Sequence, residues 1–487
     1  MNAVATRISD ATLAGLSDFL VKEIGLLFPR ERWSGLERGM IAAAGQFGFE
    51  EVGDCIKWLL SAPLTRQQIE ILAGVLTVGE TYFFRDPRSF QLLEQEILPE
   101  LVRTRRGPDQ RLRIWSAGCS SGEEAYSVAI LLHRLLPDLQ NWKVTILASD
   151  INPAALGKGM AGVYGKWSFR GAPPWLKSYF KPEAEGLFRL TDHIRRMVSF
   201  QYLNLAEDSY PSLYSNTNAM DIILCRNVLM YFAPEIARTV VGKLHRALVP
   251  GGWLIVGPAE NTRVGYEPLE PVSFDGATLY RKQATPYLEP LPSAAPAIGE
   301  PPEKSAEPAV KPSLASAEAL YRQGECTEAA ALVKTLFPGA TMPVDAMILL
   351  VRCHANRGEL SLALELCDAA LGREKLDPEL HFLRAEILQE QGRGDEALTS
   401  LHHALYLDPK LVLAHFALGN LSLWSDRTEK ARKHFNNALA LLDGFAPDEI
   451  LPGSEGITAG RLKEIIRQTA IPGSFGTYRE PVRLMRR

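Results

Sequence analysis

Residues 112–127 read LRIWSAGCSSGEEAYS, and a second apolar run at 144–148 closes on Ser149 and Asp150. Ile114 and Trp115 lead into a loop of small residues that carries Gly118 and Gly122, after which Glu123 and Glu124 open a helical run to about residue 136. Strand, glycine turn, helix, strand, acid is the layout of a nucleotide-binding α/β crossover. The glycines let a ligand approach the backbone closely. An acid at the end of the second strand can hold both hydroxyls of a ribose. A spacing of about 30 residues suits one βαβ unit.

The turn also says something about the ligand. A pyrophosphate-binding turn spaces its glycines G-x-G-x-x-G and sets the phosphates on the helix N-terminus. Here the spacing is G-x-x-x-G, and two carboxylates occupy the start of the helix. Like charges argue against pyrophosphate and for a cationic or zwitterionic nucleoside such as S-adenosylmethionine, which carries an ammonium and a sulfonium. A helix-dipole role accounts equally well for either acid taken singly. Residues 118–122 also match G-x-S-x-G, the nucleophile elbow of α/β-hydrolases, and Asp221 and His245 follow in the right chain order. Ser120 therefore stands as a rival nucleophile.

The chain has 487 residues, 46% hydrophobic and 23% charged, with a formal net charge of −4. That length allows two to four domains. The near-neutral balance gives no overall attraction to nucleic acid or membrane. No apolar stretch approaches the roughly 18 residues of a membrane span, and the N-terminus lacks the pattern of a secretory signal. Cys55, Cys119, Cys225, Cys326, Cys353 and Cys367 show neither C-x-x-C nor His-Cys spacing. A reducing cytoplasm is expected, with no metal site, no nucleic acid partner and no membrane insertion.

Composition shifts sharply between Thr285 and Ser313, where eight prolines stand among alanines and glutamates. This predicts a Pro/Ala-rich linker over 284–316. Beyond it Ala329, Ala363, Ala397 and Ala431 recur at a fixed step of 34, and Gly324, Gly358 and Gly392 keep the same step. Ala370, Ala404 and Ala438 add a third register. A helix–turn–helix period of this length, with small residues at the crossings, resembles tetratricopeptide repeats. Repeats are expected over 317–445 and further helices, near 448 and 461–469, within 446–487. Such stacks present a surface for a peptide or protein. Before the linker, periodicity predicts a helical domain over 1–80 and an α/β domain over 81–283. An antiparallel insertion is expected at about 165–202.

Seven motifs then agree: GETYFFRD (79–86), SAGCSSGEEAYS (116–127), ASDIN (148–152), WSFRG (167–171), FQYLNL (200–205), CRNVLMYF (225–232) and PGGWLIVGPAEN (250–261). In this order they resemble the chemoreceptor glutamate methyltransferases, the CheR family, over roughly residues 10–283. The resemblance implies a class I S-adenosylmethionine-dependent methyltransferase, α/β and Rossmann-like, with an N-terminal helical domain and a small antiparallel β subdomain. The all-α repeat solenoid follows it. Members with tetratricopeptide tails are known. The implied reaction is methyl transfer to glutamates on the cytoplasmic helices of methyl-accepting receptors, leaving S-adenosylhomocysteine. Carried over by motif, the cofactor-binding residues are Gly79, Thr81, Arg85, Gly118, Glu123, Asp150, Asn204, Leu205, Arg226 and Asn227. Gly79 takes a position often polar in relatives, so a side-chain contact is lost there. Glu123 is read as the cofactor acid and Glu124 as the helix-dipole partner. Tyr231 and Arg103 are candidates for a place near the methyl group or its acceptor, and Arg170 could also dock the acceptor. Two alternatives remain: an interaction scaffold that binds cofactor without turnover, and a methyltransferase for another protein. The pathway is flagellar chemotaxis or another chemosensory system, such as surface sensing.

Overall fold

β1 (Arg111–Ala117) is buried along all but its first residue, as expected of an apolar run covered on both faces. It lies at the centre of the first half of the chain in this computed structural model, which describes residues 8–107, 110–208, 210–212, 215–260, 264–283, 313–338, 342–424, 427–454 and 457–470. β1 pairs in parallel with β2 (Lys143–Asp150) and β7 (Met220–Cys225). β6 (Val198–Tyr202) extends the sheet beyond β2, and β8 (Leu248–Val256) beyond β7, both in parallel. Antiparallel β10 (Ala277–Arg281) and β9 (Glu270–Phe274) finish the seven-stranded order β6-β2-β1-β7-β8-β10-β9. The connections run one way from β1 to β2 and the other way to β7. Ligands bind at such a switch point, outside the carboxyl ends of the strands.

Side-chain alternation sorts the strands into two cores. Trp115, Leu147, Ile223 and Leu254 face one cluster; Ile114, Ile146, Ile222 and Ile255 face the other. The first cluster is closed by α10 (Pro234–Ala247) and the N-terminal helices α1 (Asp10–Ile24), α2 (Trp33–Phe47), α3 (Val52–Leu59) and α4 (Arg66–Leu76). Leu13, Leu16, Leu20 and Ile24 form the buried stripe of α1, capped by Ser9, and α4 starts at a Thr65/Gln68 capping box. The second cluster is closed by α5 (Pro87–Leu92), a π-helical turn at Leu93–Ile97, α6 (Leu98–Arg105) and α7 (Glu123–Leu135).

Between α8 (Pro153–Ala161) and α9 (Asp192–Arg195) lies a small antiparallel sheet, β3 (Val163–Tyr164), β4 (Phe180–Pro182) and β5 (Phe188–Leu190), in the order β3-β5-β4. The expected insertion is therefore present but shorter. β6, assigned to it from sequence, belongs to the main sheet, where Val198 pairs with Ile146 and Tyr202 with Asp150. Its alternating burial suits an edge strand as well as a hairpin, so only the pairing decides.

The chain divides into two compact units: residues 1–248, 252–281 and 412–487, and residues 249–251 with 282–411. In the second, helices pair as α11 (Leu314–Gln323) with α12 (Cys326–Leu336), α13 (Val344–Asn356) with α14 (Leu360–Arg373), and α15 (Pro378–Glu390) with α16 (Gly394–Leu407). The three registers of the repeat have separate causes. Ala329, Ala363, Ala397, Ala370 and Ala404 are all fully buried, where only a small side chain fits. Gly324, Gly358 and Gly392 take φ values of 85°, 78° and 72° between paired helices, a conformation that favours glycine. The same period continues in α17 (Val412–Trp424) and α18 (Thr428–Leu442), where Ala431 and Ala438 are again buried, although both helices cluster with the first unit. α19 (Ala459–Ala470) matches the expected last helix. The helix expected near 448 is a turn, with Glu449 N–H donating to Ala446 O and Gly460 N–H to Pro447 O. α11 begins inside the expected linker, whose residues 284–312 lie outside the described part.

Candidate cofactor site

The site is built at the carboxyl ends of β1, β2 and β7. Gly118 has φ +81°, and its N–H and that of Cys119 both donate to Ser149 O, at 2.8 and 2.9 Å. A Cβ on Gly118 would lie 2.4 Å from Val228 Cγ2, so the turn is closed to any side chain. Asp150 faces it: Oδ2 accepts the Ser120 N–H at 2.8 Å and Oδ1 the Asn152 N–H at 2.9 Å. Burial pushes the Asp150 carboxyl above the usual range, opposed by the backbone N–H groups of Asn152, Ser120 and Ile151. Each oxygen keeps a free lone pair for a hydroxyl.

One cleft gathers nine of the ten cofactor residues expected from sequence. Gly79, Thr81 and Arg85 come from the segment before α5, and Gly118 and Asp150 from the crossover. Asn204 and Leu205 follow β6, and Arg226 and Asn227 follow β7. Glu123 is the exception. Its carboxylate, 2% exposed, accepts hydrogen bonds from Ser121 Oγ at 2.7 Å and Ser168 Oγ at 2.9 Å, and it lines an adjacent cleft that shares Gly79 and Thr81. Burial raises its pKa, and the two serines and Arg170 oppose the rise. Glu124 lines the main cleft instead. It accepts from Ser116 Oγ at 2.7 Å and from Arg226 Nη1 at 3.0 Å. Successive helical residues point about 100° apart, so adjacent acids face different walls, and sequence alone cannot say which.

Arg226 joins the motifs. Its guanidinium pairs with Glu124 and Asp86 and donates to Arg85 O at 2.5 Å. Phe84 and Asp86 both take left-handed φ, 56° and 59°, which gives the FFRD segment a bend that neighbours must hold. Phe83, fully buried, packs its ring on Tyr164, Phe169 and Phe180 of the small subdomain, and Phe84 packs on Phe90 and Trp175. The two phenylalanines thus seat the segment that carries Thr81 and Arg85.

Tyr231 lines the cleft; Arg103 is exposed on α6 and does not. The N-terminal helical region, which showed no functional signal in the sequence, supplies part of the wall through Leu26, Phe28 and Arg32. The Arg32 guanidinium lies 5.1 Å from the Phe28 ring and 4.8 Å from that of Tyr231. The Leu27 N–H donates to Tyr231 O at 2.8 Å. No motif marks these residues, because the contact joins segments about 200 positions apart in the chain (Arg32 and Tyr231).

The rival hydrolase reading fails on geometry. Ser120 Oγ donates to Gly79 O at 3.2 Å. Asp221 sits at the opposite, N-terminal end of the parallel strands, paired with Arg105 and accepting the Arg113 N–H. Among the described residues no group of three or more His, Cys, Asp or Glu could hold a metal ion, and no helix is long and apolar enough to cross a membrane.

The cleft fits a positively charged nucleoside. Besides the acids, Asn204 Nδ2 is buried without a protein partner, while its Oδ1 accepts the Ala206 N–H. Buried amide donors seldom stay unpaired, and a nucleobase acceptor would satisfy this one. A largely parallel sheet covered on both faces, with this glycine turn, an acid ending β2 and the orphan amide, suits an S-adenosylmethionine-dependent methyltransferase. Residues 79–273 match the family described as CheR methyltransferase, SAM binding domain. The chain is 31% identical over 255 residues to chemotaxis protein methyltransferase 2 of Vibrio cholerae, covering 52% of this chain and 86% of that protein. It therefore belongs to the CheR methyltransferase family. It is also 29% identical over 361 residues to the probable biofilm formation methyltransferase WspC of Pseudomonas aeruginosa, covering 72% of this chain and 81% of that one. Among solved structures it is similar to YrrB, titled a TPR protein with an unusual peptide-binding site. The identity is 20% and the TM-score 0.24, over 26% of this chain and 65% of that one.

Proposed function

We propose that this protein methylates glutamate side chains on the cytoplasmic helices of methyl-accepting chemotaxis-type receptors, forming glutamyl methyl esters, and that its helical repeats bind a peptide or protein of the same pathway. The convergence of five separated motifs on one cleft, tied by the buried Arg226, supports this reading most strongly.

Each side chain then has a task. Asp150 holds the ribose hydroxyls, and Asn204 and Leu205 flank the adenine. Arg85 and Thr81 take the methionine carboxylate, for which the guanidinium fork is suited. Glu124, rather than Glu123, faces the ammonium. The bound cofactor supplies an electrophilic methyl on a sulfonium. The acceptor glutamate, with an ordinary pKa of about 4.3, arrives ionised, so no general base is needed. What the chain contributes is orientation and exclusion of water. Arg170 is assigned here to meet the acceptor. Its guanidinium lies 3.9 Å from the Tyr82 ring and 4.4 Å from the exposed Trp167 ring, and it pairs with Glu80 at 2.8 Å. This pairing leaves it able to exchange one carboxylate for another without binding the ground state too tightly.

Under this reading the protein acts in the cytoplasm, where those receptor helices lie. The similarity to a biofilm-formation methyltransferase runs into the repeat region, which favours a surface-associated pathway over a flagellar one. The test is transfer of a tritiated methyl group from S-adenosylmethionine to a co-encoded receptor. Base-labile counts in the receptor are expected, and their loss in Asp150→Ala. A chain that binds cofactor but labels no receptor would instead be a scaffold, or would act on another protein.

A further inference from the structure

Glu260 lies beyond β8 and lines neither cleft, yet it is completely buried. Its carboxylate accepts four backbone N–H groups. Oε2 takes those of Asn227 at 2.7 Å and Gly257 at 2.8 Å; Oε1 takes those of Val228 at 2.8 Å and Met230 at 3.2 Å. Three of the four donors belong to the loop that follows β7. That loop carries Arg226, Asn227, Val228 and Tyr231 into the cofactor cleft. Asn227 takes φ +59°, in the left-handed region that asparagine tolerates, and this turns the chain after β7. The loop is also held by the Arg226 ion pairs, by the Leu27 N–H on Tyr231 O, and by Val228, whose side chain fills the space above Gly118. A buried carboxylate that pairs with no cation among the described residues and gathers four converging N–H groups is a template for a backbone bend.

We infer that Glu260 is a positioning residue for methyl transfer. Its carboxylate fixes the 226–231 loop so that Arg226, Asn227 and Tyr231 face the cofactor and the reacting methyl. It touches neither substrate itself. The inference rests on the cleft around Gly118 and Asp150 being the cofactor site. Gly257 gives a second, independent handle. A Cβ there would stand 2.8 Å from Glu260 Oε2 and 3.0 Å from Asn227 Nδ2, wedging the template from the loop.

The test compares full-length wild type, Glu260→Gln and Gly257→Ala. Gln keeps the size but offers an NH2 to two of the four N–H donors. In both variants S-adenosylhomocysteine binding by calorimetry is expected to weaken about 10- to 100-fold, and kcat to fall with it, while the receptor KM stays within about twofold. The binding is measured below each variant's melting temperature. A drop in melting temperature with unchanged S-adenosylhomocysteine affinity and kcat would show a purely structural role and overturn the inference. If Glu260→Gln does not fold, Gly257→Ala decides alone. Failure of the wild type itself to bind S-adenosylhomocysteine would sink the cleft assignment, and this inference with it.

Discussion

Arg226 and Glu124 form an ion pair at 3.0 Å within the cofactor cleft, with their side chains 2% and 12% exposed. The pair joins the end of β7 to the start of α7, and Asp86 joins it from the FFRD segment at 3.4 Å. Removing one partner of a buried pair costs up to about 3–5 kcal/mol, less where a second carboxylate such as Asp86 still faces the cation. Glu124→Ala is therefore expected to lower the thermal midpoint and abolish measurable cofactor binding. Glu123→Ala should affect cofactor affinity far less. Calorimetry with S-adenosylhomocysteine on the two variants checks the assignment; equal losses would contradict it.

Asp150 carries the pH dependence. Burial raises its carboxyl above the ordinary 3.8. For an acid raised on folding, the folded state binds the proton more readily, so this group's contribution to stability is lost as pH rises through the raised value. Cofactor binding runs the other way, because only the ionised carboxylate accepts from both ribose hydroxyls. S-adenosylhomocysteine affinity should fall on acidification with a midpoint above 3.8, and Asp150→Asn should bind weakly without that transition. Calorimetric titrations across the acidic range give the answer.

Gly118→Ala should fail for steric reasons alone. Both the φ of +81° and the 2.4 Å approach to Val228 Cγ2 oppose a methyl group there. The expected outcome is a clear loss of cofactor affinity. The smaller Val228→Ala, added to it, should recover part of the affinity, since it removes the atoms in the way.

Phe83→Ala should cost about 3–5 kcal/mol, the range for deleting a buried aromatic ring. The ring bridges Tyr164, Phe169 and Phe180. Because it seats the segment with Thr81 and Arg85, cofactor affinity should drop along with the denaturation midpoint. Full affinity in a destabilised variant would separate the subdomain from the site.

In the repeats, Ala363→Leu puts a branched side chain where the alanine is fully buried. Overpacking of this kind costs about 1–3 kcal/mol. The helical signal should melt earlier by circular dichroism, while S-adenosylhomocysteine affinity stays at the wild-type value.

Local pattern was legible wherever one segment carries its own reason. The turn around Gly118 requires a left-handed residue, Asp150 ends a buried strand, and the alanines step by 34 because each meets the same helix crossing. Nine of the ten expected cofactor residues reach one cleft for the same reason: a parallel sheet collects strand ends. What the sequence left open concerns direction and pairing. Glu123 and Glu124 differ only in which wall they face, β6 only in which strand it pairs with, and Arg103 only in where its helix lies.

By itself the sequence determined the strand–turn–helix that binds a nucleoside, the order of the motifs, and the period of the repeats. All of these follow from steric and hydrophobic rules acting over a few tens of residues. The tertiary structure alone decided that Glu124 and not Glu123 meets Arg226, that Arg32 and Phe28 wall the cleft beside Tyr231, and that Glu260 gathers four N–H groups beneath it. Those contacts join residues far apart in the chain. Their energies depend on burial and on the direction of each side chain, which only the packed fold sets.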